Sequence, residues 1–187
     1  IEYVNQLFNE IPNTKVFITP GNHDPYIKNS FYKQFKWSEN VHIFTNEIEV
    51  IEDENVDIYG YGFNDFYMAK KSDQIHKKNR QKINILITHG SLDSGIEENR
   101  EYNPLTTKEL RELGFDYVAL GHIHKSSYND YLGQSIVYPG SPISLGFDEL
   151  GDRGFIAGNI DDKNRELKLQ FIKTSAKTFA EYNFDTS

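Results

Sequence analysis

Three short segments of the sequence carry side chains that can bind a metal or move a proton. The segments are Gly21-Asn22-His23-Asp24, Thr88-His89-Gly90 and Gly121-His122-Ile123-His124. They contain four of the six histidines of the chain. Imidazole is a metal ligand and a proton donor or acceptor near neutral pH, and amide and carboxylate oxygens are metal ligands as well. The residue types and their grouping therefore favour metal-dependent or acid–base chemistry.

Each segment directly follows or ends a short apolar run that predicts a strand. The three runs are Val16–Thr19, Ile83–Thr88 and Tyr117–Leu120. Ligand sites in open α/β sheets lie outside the carboxyl ends of the strands, and a glycine beside such an end lets the backbone bend and approach closely. We therefore expect the three segments to meet at one edge of a sheet.

Histidines at strand ends can also be purely structural. His89 taken alone would be interpreted as a residue bonded to backbone, and His23 as part of a turn. His122 and His124 are less readily explained in this way, because residues i and i+2 of an extended chain face the same side and suit one metal or a close metal pair. The structural interpretation must hold for all three segments at once, which favours a functional site. His42 and His76 lack such surroundings and are interpreted as structural or surface residues.

The remaining patterns predict one layered α/β domain over residues 1–187. The first part alternates strand and helix, and the second part is mostly strand, which suggests sheet-on-sheet packing. Helices are predicted at 2–10, from Phe31 to Trp37, and from a cap at Thr106 or Thr107 to Leu113. The runs 47–51 and 56–63 predict a β-hairpin, residues 64–82 a surface helix or loop, and 91–105 a loop. Further strands are predicted at 41–44, 126–131, 135–138, 155–160, 167–172 and 179–184.

The amino-acid composition excludes several classes of functional site. The 187 residues include no cysteine, which excludes disulfide scaffolds, thiolate zinc sites and cysteine nucleophiles. Lys and Arg total 20 against 28 Asp and Glu, a net charge of −8, which argues against a broad basic surface for nucleic acid. A phosphate substrate remains compatible, because a bound metal supplies positive charge locally. No apolar run approaches the ~18 residues of a membrane span and no signal peptide opens the chain, so we expect a cytoplasmic protein without a membrane partner.

Taken together, the three segments resemble the later motifs of the calcineurin-like metallophosphoesterases in type, order and spacing. A further stretch, Tyr138–Pro142 with 146–149 and 153–155, resembles the branch of DNA-repair exonucleases of the SbcD type. The resemblance implies an αββα sandwich with a two-metal site along one edge. The implied activity is hydrolysis of phosphodiester bonds by a metal-activated hydroxide, with DNA or another phosphodiester as the substrate.

The resemblance also implies which residues bind the metals. Asn22, His89 and His122 match ligands of one metal, and His124 matches a ligand of the other. Imidazole, amide and carboxylate ligands without thiolate suit Mn²⁺ first, with Fe²⁺ or Zn²⁺ as alternatives. Two such cations neutralise the phosphodiester charge and stabilise the attacking and leaving oxygens.

Two further residues match the catalytic positions of the family. His23 matches the histidine that contacts the phosphate and protonates the leaving oxygen, and Asp24 matches the acidic residue that orients this histidine. The SbcD-type proteins act as homodimers with an SMC-like ATPase, so the resemblance implies both kinds of partner.

The sequence departs from the family pattern at its beginning. The motifs Asp-x-His and Gly-Asp-x-x-Asp, expected before Gly21, are not in the sequence. We therefore expect the chain to be the C-terminal portion of the domain, without its first strands, and to bind metal poorly and catalyse little by itself. Two alternatives stay open: an inactive fragment that serves as a binding or structural module, and a phosphoesterase for small nucleotides or other phosphoesters, which the net charge of −8 favours.

Overall fold

A computed structural model describes residues 1–76, 79–93, 96–97, 100–128, 135–174 and 177–184. Within these residues the helices are α1 (Glu2–Asn9), α2 (Phe31–Gln34) and α3 (Thr107–Leu113), together with a 3₁₀ turn at Ser72–Gln74. The strands are β1 (Val16–Ile18), β2 (Val41–Ile43), β3 (Glu49–Glu52), β4 (Val56–Tyr61), β5 (Ile83–His89), β6 (Ile96–Glu97), β7 (Arg100–Glu101), β8 (Tyr117–Gly121), β9 (Ile136–Val137), β10 (Gly154–Ile160) and β11 (Leu167–Lys173).

The central element is a five-stranded sheet with the order β3-β4-β5-β8-β9. The strands β4, β5, β8 and β9 run parallel to one another, and β3 pairs antiparallel with β4 as the predicted hairpin. The register places Tyr61 beside Thr88, and His89 beside Gly121. The carboxyl ends of β4, β5 and β8 therefore lie at one edge of the sheet.

A parallel pair of strands, β1 and β2, lies next to this edge. Beyond β1 the chain bonds to the segment that follows β4, because Phe63 N donates to Pro20 O at 3.0 Å and Tyr26 N donates to Phe63 O at 2.7 Å. These bonds bring the residues after β1 to the carboxyl ends of the central strands.

The core lies between the central sheet and the segments around α3. Helix α3 begins where Thr106 Oγ1 accepts from Glu109 N at 3.2 Å and ends at Gly114, as the sequence predicts. Its Leu110 is buried, and the rings of Tyr59 and Phe115 pack edge to face at 5.2 Å. The buried cluster comprises Tyr59, Tyr61, Phe63, Met68, Ile75, Leu86, Leu105, Leu110, Phe115, Val118, Leu120, Ile136 and Tyr138.

The antiparallel pair β10 and β11 covers the other face of the sheet. Ile85 and Tyr117 share an apolar cavity of about 270 Å³ with residues of this pair that include Ile156 and Leu169. The architecture is thus a mixed α/β fold with sheets flanked by helices, as predicted. In the described part of the chain, no helix has both the length and the apolar character that crossing a lipid bilayer requires.

Several local predictions are corrected by the structure. Residues 126–128 are not in a strand, because Ser127 bonds Tyr138 through its N–H and its hydroxyl and not through a continuous ladder, and 129–131 lie outside the described residues. Phe179 makes a single bridge to Leu150 where a strand was predicted. In residues 64–76 the loop alternative holds outside the 3₁₀ turn at Ser72–Gln74, but Met68 and Ile75 are buried, so the predicted surface position is wrong for these two side chains.

Candidate active site

The three predicted segments converge on the side chain of Asn22. Its Oδ1 lies 2.9 Å from His89 Nε2 and 3.4 Å from His122 Nδ1. The rings of His89 and His122 are 5.2 Å apart between centroids and meet at 74°. The predicted meeting of the first, second and third segments at one sheet edge is therefore observed for these three residues.

Two glycines make room for the imidazole of His89. A Cβ added to Gly21 would lie 2.7 Å from His89 Cε1, and a Cβ added to Gly121 would lie 2.7 Å from His89 Nδ1. Heavy atoms do not approach a Cβ this closely without displacement, so the ring occupies a slot that only glycine leaves open on both sides. The glycines of the first and third segments thus position the histidine of the second.

The backbone at His89 is held by a residue that the sequence reasoning missed. Asn103 is fully buried, and its Nδ2 donates to His89 O at 2.9 Å and reaches Thr88 Oγ1 at 3.3 Å. Tyr138 Oη donates to Gly90 O at 2.6 Å. Asn103 lies in a segment without periodicity, so no sequence pattern distinguished it from a loop residue.

Aromatic rings pack against the two half-buried histidines, His89 and His122. The ring of Phe63 meets His89 nearly edge-on, at 5.4 Å and 84°. Tyr102 stacks on His122 at 5.4 Å and 27°. These contacts limit the rotation of both imidazoles, which suits side chains that must present one nitrogen in a fixed direction.

The pKa of His89 is lowered to about 3, by burial first and then by the neighbouring charges of His122, His23 and His124. The pKa of His122 is lowered by burial first and then by His23 and His124. Both rings are therefore neutral at neutral pH. A neutral imidazole keeps a nitrogen lone pair, which is the state that binds a metal.

The distances from Asn22 Oδ1 to the nitrogens of His89 and His122 are compatible with the predicted sharing of one divalent metal. Ligand bonds of about 2.1 Å place the ligand atoms of a tetrahedral or octahedral ion about 3.0–3.4 Å apart. The two distances from Asn22 Oδ1, 2.9 Å to His89 Nε2 and 3.4 Å to His122 Nδ1, are close to this range. Counting only His, Cys, Asp and Glu, the described residues contain no group of three suited to a metal. The amide oxygen of Asn22 is what completes this set of three.

His124 contacts a later loop through one ring nitrogen. Strand β8 ends at Gly121, and His122 has a φ of 115°, so the backbone is not extended here and the argument that residues 122 and 124 face the same side is wrong. The side chain of His124 is 58% exposed, and its Nδ1 lies 2.6 Å from Glu149 Oε1. The charge of His124 contributes to the lowered pKa of His89, so His124 lies at the same edge of the central sheet.

His23 and Asp24 follow Asn22 at the rim of the site. His23 is exposed, and its charge acts on His89 and His122. Asp24 accepts from Gly21 N at 3.0 Å and from Tyr32 Oη at 2.6 Å. These bonds fix the turn that carries both residues, and the orienting role of Asp24 toward His23 stays a prediction.

The remaining two histidines lie apart from this group. His42 Nε2 is 3.2 Å from Glu49 Oε2, and its ring meets Phe44 edge to face at 4.9 Å. His76 is exposed. Their positions agree with the structural or surface roles expected for them.

Comparisons with known proteins show which family and relatives this chain is similar to. The sequence model of a family described as calcineurin-like phosphoesterase matches residues 1–126, a range that includes every candidate residue from Asn22 to His124. A relative from Bacillus subtilis (strain 168), named uncharacterized metallophosphoesterase YhaO, is 30% identical over 165 residues, which are 83% of this chain and 39% of the relative. The chain therefore spans less than half the length of that relative. One solved crystal structure aligns with 91% of this chain and 71% of its own chain at 16% identity and a TM-score of 0.46.

Proposed function

The chain belongs to the calcineurin-like phosphoesterase family, and from this premise we propose that it is a metal-dependent phosphodiesterase acting on DNA, a nuclease of DNA repair. The observation that carries the proposal is the convergence of His89 Nε2 and His122 Nδ1 on Asn22 Oδ1, at 2.9 and 3.4 Å. Phosphoester hydrolysis is the general activity of the family, and the DNA substrate is the finer proposal.

Buried Asn22 and half-buried His89 and His122 hold the first metal in this proposal. Asn22 Oδ1, His89 and His122 bind the first divalent metal, with Mn²⁺ proposed ahead of Fe²⁺ or Zn²⁺, and His124 binds the second. When bound, such metals neutralise phosphate charge and make water a stronger nucleophile near neutral pH. The neutral state of His89 and His122 supports this role, because no proton has to leave either ring before a metal binds.

His23 has the proton-transfer role in this proposal. It adjoins Asn22 in the chain and is exposed, so it can reach a phosphoester bound beside the metal ligands. Proton donation by His23 to the leaving oxygen would avoid the release of a strongly basic alkoxide. Asp24, held by Gly21 N and Tyr32 Oη, keeps the turn that presents His23 in place.

DNA is supported as the substrate by the stretch from Tyr138 to Phe155, which resembles the SbcD-type exonucleases. A second candidate is a phosphoesterase for small nucleotides, favoured by the net charge of −8, which disfavours a long polyanion. We further propose a cytoplasmic location, a homodimer and an SMC-like ATPase partner, all on the same resemblance.

The general activity is tested with bis-p-nitrophenyl phosphate in the presence of Mn²⁺ and in its absence. Hydrolysis should require Mn²⁺ and fall by about 10²–10⁴-fold in His23→Ala, the usual contribution of a general acid. The matched control His76→Ala, at an exposed histidine outside the site, should retain activity. Equal activity of wild type and His23→Ala would contradict the role of His23.

The DNA proposal is tested by competition between substrates. Linear DNA labelled at one end should be degraded faster than covalently closed circles, and faster per phosphodiester than bis-p-nitrophenyl phosphate. A protein that cleaves the small diester but leaves all DNA intact would favour the second candidate.

A further inference from the structure

The loop after β9 folds back onto His124 through one carboxylate. Glu149 Oε1 lies 2.6 Å from His124 Nδ1, and Glu149 Oε2 accepts from Leu145 N at 2.7 Å. The Glu149 side chain is only 12% exposed, although the His124 side chain beside it is 58% exposed. The two oxygens of Glu149 thus connect the loop to an otherwise open histidine.

The backbone of His124 is held from the same loop. Arg153 is buried, and its Nη1 donates to His124 O. Ser141 N donates to the same oxygen at 3.0 Å. Arg153 also donates from Nε to Ser144 Oγ at 3.2 Å. Its guanidinium therefore connects the loop at Ser144 with the backbone of His124. Side chain and backbone of His124 are therefore both fixed by residues far along the chain.

The contact at Nδ1 has a chemical consequence for the other ring nitrogen. An ionised carboxylate can only accept a hydrogen bond, so Glu149 favours a proton on His124 Nδ1. Nε2 then keeps its lone pair and is the nitrogen left to bind a ligand. Metal-binding histidines commonly donate their second N–H to a carboxylate in this way, which fixes the tautomer and the ring direction.

We propose that Glu149 is a positioning residue, which holds His124 in the Nδ1-protonated tautomer with Nε2 directed to a divalent metal. The inference rests on the proposed function, since it assigns Glu149 to the metal site of that function. The competing interpretation is that Glu149 only closes the turn at 145–149 through Leu145 N.

Two measurements separate these interpretations. The first is the long-range ¹H–¹⁵N spectrum of the histidine side chains in the metal-free protein, which reports the tautomer of each ring. The wild type should show His124 protonated on Nδ1, and Glu149→Ala should shift His124 toward protonation on Nε2. The result that overturns the proposal is an Nε2-protonated His124 in the wild type, or no change in Glu149→Ala.

The second measurement is Mn²⁺ affinity by isothermal titration calorimetry. Glu149→Ala should bind Mn²⁺ about 10- to 100-fold more weakly, the usual cost of losing an orienting partner. Glu149→Gln should lie between Glu149→Ala and wild type, because its amide oxygen can still accept from Nδ1. The matched control is Asp148→Ala, at the adjacent exposed carboxylate, which should match wild type.

The outcomes distinguish this inference from the function on which it rests. Unchanged Mn²⁺ affinity in Glu149→Ala, with normal binding by wild type, overturns the positioning role and leaves the proposed function standing. A wild type that binds no Mn²⁺, even at the weak affinity expected of this chain, overturns both. Urea unfolding of each variant checks that lost affinity does not reflect an unfolded loop.

Discussion

Asn22 Oδ1 lies 2.9 Å from His89 Nε2, although the two residues are 67 positions apart in the sequence. The distance suits two ligands of one metal and is too short to leave room for another side chain between them. His122, 100 positions from Asn22, approaches the same oxygen at 3.4 Å. Three chain segments therefore meet at Asn22 Oδ1. Substitution of Asn22 should affect the site more than substitution of neighbouring residues.

Replacement of Asn22 by Ala should weaken Mn²⁺ binding, because it removes the oxygen that lies between two imidazoles. Loss of a residue that only orients a ligand weakens metal binding by about 10- to 100-fold, and we expect the loss of Asn22 to cost at least as much. Calorimetric titration with Mn²⁺ measures the change. Asn159→Ala, at an exposed amide in β10, is the matched control and should bind as wild type does. Wild-type affinity in Asn22→Ala would remove Asn22 from the ligand set.

Gly21→Ala and Gly121→Ala should each displace the imidazole of His89, because the new Cβ would lie 2.7 Å from a ring atom. We expect both variants to lose Mn²⁺ affinity while remaining folded. Gly158→Ala is the control for general destabilisation, because its Cβ would lie 2.5 Å from Lys168 O in the β10 and β11 pair, outside the site. If Gly158→Ala lost Mn²⁺ affinity to the same extent, the effect would reflect stability and not the slot for His89.

The stability of the chelator-treated protein should fall as the pH falls from 6.5 to 3. The pKa of His89 is lowered from 6.5 to about 3 in the folded chain, so between these values the unfolded chain binds more protons. Stability then rises with pH across this window, and His89 accounts for at most about 2 kcal/mol between pH 6.5 and 5.

Urea unfolding at pH 7 and pH 5 measures this dependence. His89→Gln removes the titrating group, so its unfolding free energy should change less between the two pH values than that of wild type. Parallel curves for the two proteins would mean that His89 is not protected from protonation in the folded chain.

Asn103→Ala should destabilise the fold by about 1–3 kcal/mol, because it leaves the His89 carbonyl without the buried donor that reaches it at 2.9 Å. Equilibrium urea unfolding measures the loss. Asn64→Ala, at an exposed amide, should change stability by less than about 0.5 kcal/mol. Equal stability of the two variants would show that another group satisfies the carbonyl.

Local sequence patterns predicted the elements that carry the site. The apolar runs before Pro20, His89 and Gly121 form strands, and the hairpin of β3 and β4 and the capped helix α3 lie where turn and capping residues indicated them. These signals are local, because capping, turn formation and apolar periodicity depend on residues a few positions apart. The strand prediction failed at 126–128, where no ladder forms, and the surface prediction failed for Met68 and Ile75, which are buried.

The sequence by itself determined which residues can do the chemistry: the absence of cysteine and the placement of four histidines at predicted strand ends left a nitrogen and oxygen ligand set. Only the tertiary structure decided how they are arranged. The parallel register sets His89 beside Gly121, and the bond from Phe63 N to Pro20 O brings Asn22 to the same edge.

Residues that support the site were likewise visible only in three dimensions. Asn103 and Glu149 reach His89 and His124 from segments 14 and 25 positions away. Such contacts have no local signature, because nothing in the neighbouring sequence encodes which distant carbonyl or imidazole a polar side chain will meet once the chain has folded. The sequence therefore determines which residue types are available as ligands, and tertiary packing determines where their side chains point.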